Sequence, residues 1–129
     1  MEQYLIDTNI LIYFFDGKLT DSQKEKVISI FSKSFNISVI SKIEFLGFKD
    51  FFDNVKYNYA KEFLNSAKII PLSDNLIDKI IEIKQNRNLK LGDAIIGATT
   101  IANNYTIVTN NSKDFEKIDG LKIINPLYI

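Results

Sequence analysis

The residues best suited to chemistry in this 129-residue chain are four acids that lie far apart in the sequence. They are Asp7, Glu44, Asp93 and Asp114. Each stands near a point where an apolar run, typical of a buried strand, gives way to a helical pattern. In a parallel sheet the carboxyl ends of the strands meet at one edge, where such folds bind ligands. Carboxylates gathered there repel one another unless a cation neutralises them, so the pattern predicts a divalent-metal site.

Two residue types that commonly act in catalysis and metal binding are absent from the chain, which limits the kinds of catalysis and the metal ions that are possible. The chain has no cysteine and no histidine, which excludes thiol nucleophiles, zinc–thiolate sites and Ser-His catalysis. Hard oxygen ligands without His or Cys select Mg²⁺ or Mn²⁺ over zinc. The 16 basic and 16 acidic residues give zero net charge, and Arg87 is the single arginine. Overall charge therefore does not indicate a nucleic-acid-binding protein.

The elements that must position these acids are predicted from hydrophobic periodicity. Strands are predicted over residues 4–6, 37–40, 69–72, 106–109 and 121–124. Helices are predicted over residues 10–15, 21–33, 41–67 with a break near residues 53–54, a segment after residue 73, and 94–103, with Thr20 and Ser73 as caps of the second helix and of the segment after residue 73. Strands separated by helices imply an α/β fold with a mostly parallel five-stranded sheet and helices on both faces. We expect one domain over residues 1–129, without a signal peptide or membrane span, in the cytoplasm.

Two of the acids also fit helix caps. Asp7, in Ile6-Asp7-Thr8-Asn9, has the residue type and position of an N-cap. Ser41-Lys42-Ile43-Glu44 matches the S-x-x-E capping box, in which the serine and the glutamate each accept a hydrogen bond from the backbone of the other. A glutamate fixed by a cap is also well positioned for a metal, so the two roles can coexist.

The other two acids have structural alternatives as well. Asp93 follows Gly92 at the start of a helix that the pattern predicts to be buried, where the helix dipole alone could stabilise it. Asp114 fits the first turn of a helix capped by Ser112. Competing polar ligands at the same strand end are Thr109, Asn110 and Asn111. Four independent caps have no reason to converge on one end of one sheet, which favours the shared site.

The order of the motifs carries a family resemblance. Ile6-Asp7-Thr8-Asn9 resembles the opening D-T-N motif of PIN-domain nucleases, and Gly92-Asp93-Ala94-Ile95-Ile96-Gly97-Ala98-Thr99 is similar to the motif of their central helix. Ser41-x-x-Glu44 and Val108-Thr109-Asn110-x-x-x-Asp114-Phe115 look like the remaining motifs in the correct order. The resemblance covers nearly the whole chain, whose length and element order are similar to those of VapC-type toxins of type II toxin–antitoxin systems. Gly97 and Thr100 depart from the alanines that are commoner there.

The resemblance implies a PIN-like nuclease domain over residues 1–129 that cleaves RNA phosphodiester bonds with metal-activated water. The metal-binding and catalytic acids of the family correspond to Asp7, Glu44, Asp93 and Asp114, with Asn110 or Asn111 as the alternative to Asp114. Supporting roles are implied for Thr8, Asn9, Thr109, Asn110 and Asn111. The implied cofactor is Mg²⁺ or Mn²⁺, and the implied substrate is RNA, with transfer RNA and ribosomal RNA equally compatible. A small antitoxin and a homodimer are the implied partners.

Two surface patterns have competing interpretations. Lys42, Lys49 and Lys56 recur every seven residues, so on one helix they would form either a stripe that steers RNA or an ordinary solvated face. Phe45, Phe48 and Phe52 fall at i, i+3 and i+7. Such aromatic density belongs either to the core or to a dimer or partner surface.

Two rival functions remain at this stage. The first is a PIN nuclease for RNA processing that has no antitoxin, which the reading frame beside the gene would distinguish. The second is a noncatalytic module whose acidic pocket binds cations or a basic peptide, which a titration with Mn²⁺ or Mg²⁺ would test.

Overall fold

A five-stranded parallel sheet forms the centre of the protein. The computed structural model describes residues 2–48, 51 and 54–128. Its strands are β1 Tyr4–Ile6, β2 Asn36–Ser38, β3 Lys68–Ile70, β4 Thr106–Val108 and β5 Lys122–Ile124. They are ordered β3-β2-β1-β4-β5, and every pairing among them is parallel. The predicted α/β fold with a five-stranded sheet is confirmed.

The helices of the described residues connect these strands. They are α1 Thr8–Phe15, α2 Asp21–Lys33, α3 Val39–Leu46, α4 Asn54–Leu64, α5 Asp74–Asn86, α6 Leu91–Ala102 and the short α7 Ser112–Phe115, followed after β5 by a 3₁₀ turn at Pro126–Tyr128. The predicted caps Thr20 and Ser73 are confirmed, because each side chain accepts a backbone N–H from the first turn of its helix. No helix in the part of the chain that the structure describes is long and apolar enough to cross a membrane.

Each face of the sheet carries its own hydrophobic core, because successive residues of a strand point to opposite faces. Leu5 of β1 and Ile107 of β4 pack with apolar residues of α5, α6 and α7. Ile6 of β1 and Val108 of β4 pack on the opposite side, with residues of α1 to α4. Helices therefore cover both faces, as predicted.

The chain leaves the sheet earlier after β2 than the sequence predicted. The strand was expected to reach residue 40, but it ends at Ser38, whose hydroxyl accepts the backbone N–H of Ile40 and caps α3. Ser41 consequently lies inside the helix, and the predicted capping box with Glu44 is wrong. The apolar run over residues 37–40 fits a strand and a buried helical turn equally well, so periodicity alone could not place the boundary.

The long helical segment that follows is divided, as predicted. The first helix, α3, ends at Leu46 and α4 begins at Asn54, while residue 53 of the predicted break lies outside the described residues. The predicted lysine stripe requires one continuous helix. It is wrong, because Lys42 belongs to α3 and Lys56 to α4. The third lysine, Lys49, lies outside the described residues.

The aromatic residues pack mainly into the core on the α1–α4 side of the sheet. Phe45 is completely buried and meets the rings of Phe15 and Phe51 edge-on, at centroid distances of 5.6 and 5.3 Å. Phe63 lies 5.6 Å from Phe14 in a stacked arrangement. Of the sequence's two interpretations, the core is therefore confirmed for these residues, while Phe52 lies outside the described residues.

Candidate active site

Asp7 lies at the carboxyl end of β1 and is buried, with only 5% of its surface exposed. It is the N-cap of α1, since its Oδ1 accepts the backbone N–H of Thr8 at 2.8 Å, which confirms the predicted cap. Its Oδ2 accepts the hydroxyl of Thr109 at 2.7 Å. The pKa of Asp7 is raised from 3.8 to about 6, mainly by burial. The neighbouring charges of Asp93 and Glu44 also raise this pKa, whereas the two hydrogen bonds lower it.

Thr109 directs its hydroxyl hydrogen at Asp7. The side chain is fully buried just after β4, and its oxygen accepts the backbone N–H of Asn111 at 2.8 Å. Because an amide N–H can only donate, the hydroxyl hydrogen remains available for Asp7. The loop after β4 is also held by Asn9, whose Oδ1 accepts the backbone N–H of Asn110 at 3.3 Å. The residues predicted to support the site thus join the ends of β1 and β4.

Glu44 reaches the same region from α3. Its Oε1 accepts the hydroxyl of Thr8 at 2.6 Å, and the hydroxyl oxygens of Thr8 and Ser41 lie 3.0 Å apart. A Cβ placed on Gly92 would lie 3.2 Å from Oε2 of Glu44, so this carboxylate also contacts the beginning of α6. Glu44 does not follow a strand directly, and it is the hydroxyl of Thr8 that orients it beside Asp7.

Asp93 lies in the first turn of α6, which follows helix α5 and not a strand. The expectation that each acid follows a strand is therefore wrong for this residue as well. The side chain is half-buried, and no described residue donates a hydrogen bond to its carboxylate. Burial raises the pKa of Asp93, as do the charges of Asp114 and Glu44, while Lys90 and Lys117 lower it.

Asp114 lies in α7, where Asn111 and not Ser112 occupies the N-cap position, so the predicted Ser112 cap is wrong. Its Oδ2 accepts the side-chain amide of Asn111 at 2.8 Å, and its Oδ1 lies 3.7 Å from Nζ of Lys117. Asn111 in turn faces Asp7 and Glu44 across a common cleft. Of the three predicted candidates for the fourth position, Asn111 lines the cleft and donates to Asp114, whereas the side-chain amide of Asn110 lies 3.5 Å from the hydroxyl of Tyr13.

An open cleft of about 380 Å³ brings together three of the four predicted acids, all but Asp114, and we name it the carboxylate cleft. Its polar lining consists of Asp7, Thr8, Asn9, Glu44, Asp93 and Asn111. Ile12 and Phe48 contribute an apolar wall, and Lys90 contributes a positive charge. The cleft lies beyond the carboxyl ends of β1 and β4, where the connections leave the sheet in opposite directions, which is the usual ligand position in open α/β folds.

The donor chemistry of this cleft fits Mg²⁺ or Mn²⁺, which prefer carboxylate, amide and water oxygens. Within residues 2–48, 51 and 54–128, no three acidic side chains are grouped closely enough to form a complete ligand set. Magnesium usually keeps several waters and takes only one or two carboxylates from the protein. An ion here would therefore be bound by part of the carboxylate set, with water filling the remaining positions.

Lys90 is the cleft residue that the sequence motifs did not identify. It occupies the N-cap position of α6 without a side-chain capping bond, and its side chain is exposed. The one sequence signal was its position three residues before Asp93, which places it at the start of the same helix.

Comparison with known proteins agrees with this geometry. The PIN domain model matches residues 4–121, whereas no curated protein matches the sequence. A toxin–antitoxin complex from Klebsiella pneumoniae contains a chain with 29% identity and a TM-score of 0.78, covering 98% of this chain and 99% of its own. VapBC2 from Rickettsia felis, bound to a DNA fragment from its promoter, shows 26% identity and a TM-score of 0.78 over 95% of this chain and 98% of its own.

A third structure shares the fold at lower identity. DNA-bound VapBC from Salmonella typhimurium is 20% identical, with a TM-score of 0.82 over 98% of this chain and 99% of its own. The family model spans β1 to the residue before β5 and includes every acid of the site. This protein therefore belongs to the PIN domain family.

Proposed function

We propose that this protein is a Mg²⁺- or Mn²⁺-dependent endoribonuclease and the toxin of a type II toxin–antitoxin pair. PIN domains are nucleases, so family membership supports a hydrolase that acts on nucleic acid. The observation that carries the proposal is the convergence of Asp7, Glu44 and Asp93 on one cleft. An acid as buried as Asp7, beside two further acids, raises the energy of the ionised site, and a divalent cation would relieve that repulsion.

The proposed metal-binding residues are Asp7, Glu44 and Asp93, with the fourth position shared by Asp114 and Asn111; part of this set would bind the ion directly and the rest through water. When bound, a divalent ion supplies positive charge to the phosphate and lowers the pKa of water at the site. Thr109 and Thr8 hold the carboxylates of Asp7 and Glu44 in place through their hydroxyl groups. Such outer contacts fix the orientation of ligands and commonly matter nearly as much as the ligands themselves.

Asp93 is the proposed proton acceptor. Its carboxylate accepts no hydrogen bond from the described residues. Its pKa is raised, which brings that pKa nearer to neutral pH and makes the carboxylate a better proton acceptor. Water attacks the phosphorus, gives its proton to Asp93, and displaces the 3′-oxygen, which takes a proton from solvent. The products are a 5′-phosphate and a 3′-hydroxyl, because the ribose 2′-hydroxyl takes no part.

The chemistry of the RNA ends tests this proposal. Purified protein is incubated with a defined single-stranded RNA and Mn²⁺, and the fragments are analysed by mass spectrometry. We expect 5′-phosphate and 3′-hydroxyl ends, and no cleavage when the metal is chelated. Fragments ending in 2′,3′-cyclic phosphate would contradict attack by water. If calorimetry detected no Mn²⁺ or Mg²⁺ binding, the noncatalytic acidic-pocket module would replace the nuclease.

An antitoxin is the proposed protein partner, supported by the likeness to toxin–antitoxin complexes. Its target would be the carboxylate cleft, where a basic side chain inserted among the acids would block metal or RNA. A small reading frame beside the gene that encodes a DNA-binding protein would support this partner. Cleavage without such a frame would favour the RNA-processing nuclease. The cytoplasm, where RNA and an antitoxin would be available, is the proposed location.

A homodimer is also part of the proposal. The packing of the aromatic residues removes one argument for it, but Ile77 and Ile81 are 40% and 49% exposed on one face of α5. Side chains one helical turn apart are neighbours on the helix surface, so these two provide adjoining apolar area for a second chain to cover. Sedimentation of the isolated protein as a monomer at all concentrations would overturn this part.

A further inference from the structure

A second, smaller pocket adjoins the carboxylate cleft and has two lysines in its lining. It has a volume of about 300 Å³ and is lined by Asn88, Leu89, Lys90, Asp114 and Lys117; we name it the lysine pocket. Lys90 lines both the lysine pocket and the carboxylate cleft, so the two adjoin at this residue. Lys90 and Lys117 are far apart in the sequence and meet because the loop between α5 and α6 lies against the turn after α7.

Basic side chains hold the loop between α5 and α6 in place. Nζ of Lys84 donates to the backbone oxygen of Leu89 at 2.7 Å, and Nζ of Lys117 donates to that of Asn88 at 3.3 Å. Leu89 is itself buried, with 5% exposed. Nε of Arg87 donates to the backbone oxygen of Lys117 at 2.7 Å. The backbone around the lysine pocket is therefore fixed on both sides by mutual hydrogen bonds.

The same bonds decide which basic residues remain available for a ligand. Arg87 also donates to Asp119 at 2.8 Å and to the backbone oxygen of Asn86 at 2.9 Å, so its guanidinium is occupied by the fold. Lys84 is committed to the loop. Lys90, by contrast, is exposed and forms no ion pair or side-chain hydrogen bond with any described residue.

The two positive charges of the lysine pocket differ in how far they are compensated. Nζ of Lys117 lies 3.7 Å from Oδ1 of Asp114 and also donates to the backbone oxygen of Asn88. Lys90 has no ion pair with any described residue, and the charge of Asp93 acts on it only from beyond ion-pair distance. An ammonium group without an ion pair, that of Lys90, thus lies directly at the edge of a cleft that contains Asp7, Glu44 and Asp93. RNA is a polyanion that these acids repel, and screening limits any compensating charge to about 10 Å. The lysine pocket lies within the required range because it shares a residue with the cleft.

We propose that the lysine pocket binds a backbone phosphate of the RNA next to the one that is cleaved. Lysine binds phosphate as a point charge and needs no fixed hydrogen-bond geometry, so the contact would be independent of base sequence. RNA would leave the carboxylate cleft over the loop between α5 and α6. This inference rests on the proposed ribonuclease function and adds the direction in which the substrate runs.

RNA binding as a function of salt concentration tests the pocket separately from catalysis. The probe is a fluorescent single-stranded RNA, and anisotropy is measured with Mn²⁺ present and Asp7→Asn in every protein, so that binding is read without cleavage. Lys90→Gln and Lys117→Gln are compared with Lys24→Gln, which removes the same charge from an exposed position on α2. Lys90→Arg keeps the charge and serves as the conservative variant.

We expect Lys90→Gln to reduce the slope of log affinity against log salt by about 0.7, the value for one phosphate on a single strand. This corresponds to binding about fivefold weaker at 0.1 M salt. Lys117→Gln should reduce the slope by less, because Lys117 already pairs with Asp114, whereas Lys24→Gln and Lys90→Arg should leave the slope unchanged. If Lys117→Gln fails to fold, because its bond to Asn88 is lost, Lys90→Gln still decides the result.

An unchanged slope in Lys90→Gln, or an equal change in Lys24→Gln, would overturn the proposal. The proposal would also be overturned if Lys90→Gln kept the wild-type slope of log RNA affinity against log salt but no longer bound an acidic peptide. That result would assign the pocket to a protein partner. In proteins that retain Asp7, a complete absence of RNA cleavage would refute the proposed function. The binding slopes would still report on the lysine pocket, so the two failures are distinguishable.

Discussion

An acid that accepts two hydrogen bonds lies at each end of the β1–β4 strand pair, but the pKa of one acid is lowered and that of the other is raised. At the amino end, Glu2 accepts the hydroxyls of Tyr4 and Thr106, each at 2.9 Å. At the carboxyl end, Asp7 also has two donors, one on each oxygen. The hydroxyls of Thr106 and Tyr4 lower the pKa of Glu2, whereas burial raises the pKa of Asp7 to about 6.

This difference shows that hydrogen bonds alone do not determine the state of an acid. Glu2 is exposed to water and faces Lys122 and Lys33, so its charged form is favoured. Asp7 is buried and faces Asp93 and Glu44, so its charged form is disfavoured despite equal hydrogen bonding. An acid that the fold holds at an energetic cost is a candidate for function, because burial and like charges are the means by which active sites shift pKa values.

The largest expected effect is a loss of RNA cleavage when the acid at the carboxyl end is changed, with no loss when the acid at the amino end is changed. Asp7→Asn should reduce RNA cleavage by at least roughly a thousandfold, because it removes a charge from the proposed metal-binding set. Glu2→Gln is the matched control at the opposite end of the same strand and should cleave at the wild-type rate. The measurement is cleavage of a labelled RNA by the purified proteins, with circular dichroism as a check of folding. Retained cleavage in Asp7→Asn would place the chemistry elsewhere.

An intermediate effect is expected when the hydroxyl that positions Asp7 is removed. Thr109→Val keeps the size of the buried side chain but loses both the donor to Asp7 and the acceptor for Asn111. Activity or metal affinity should fall by about 10- to 100-fold, the usual range for an outer contact to a metal ligand. Thr106→Val removes the corresponding hydroxyl from Glu2 and should not affect cleavage. Equal activity of the two variants would remove the distinction between the ends.

The smallest effect is on stability, and its sign should differ between the two acids. A rise in the pKa of Asp7 from 3.8 to about 6 on folding makes its ionised form cost about 3 kcal/mol. This cost is absent below pH 3.8, grows as pH rises to 6, and is constant above. Asp7→Asn in metal-free protein should therefore raise the free energy of unfolding at pH 7. The net gain is about 2 kcal/mol, since the amide loses one of the two acceptors.

Urea unfolding of Asp7→Asn and wild type at pH 4 and pH 7 measures this change, and the gain should largely vanish at pH 4. For Glu2, whose pKa is lowered on folding, the sign is reversed: its stabilisation is present above its unfolded pKa and is lost as pH falls through the lower folded value. Glu2→Gln should therefore not stabilise the protein at pH 7. A destabilised Asp7→Asn at neutral pH would contradict the burial cost.

Sequence patterns predicted the elements well and their ends less well. The order of strands and helices followed from apolar runs and caps such as Thr20 and Ser73, which are local signals. The end of β2 did not, because Ser38 and Ser41 are both plausible caps and only packing against the sheet selects one. The lysine stripe failed for a related reason, since a seven-residue period has meaning only if one helix continues through it.

The sequence by itself determined which chemical groups this protein has available. The absence of His and Cys left carboxylates, and the motifs around Asp7, Glu44 and Asp93 indicated the family that the comparison then showed. Only the tertiary structure decided that Asn111 lines the cleft while it donates to Asp114, and that Lys90 and Lys117 share one pocket. Residue types and local motifs are properties of the chain, whereas burial, neighbouring charge and the meeting of distant loops arise only when the sheet is assembled.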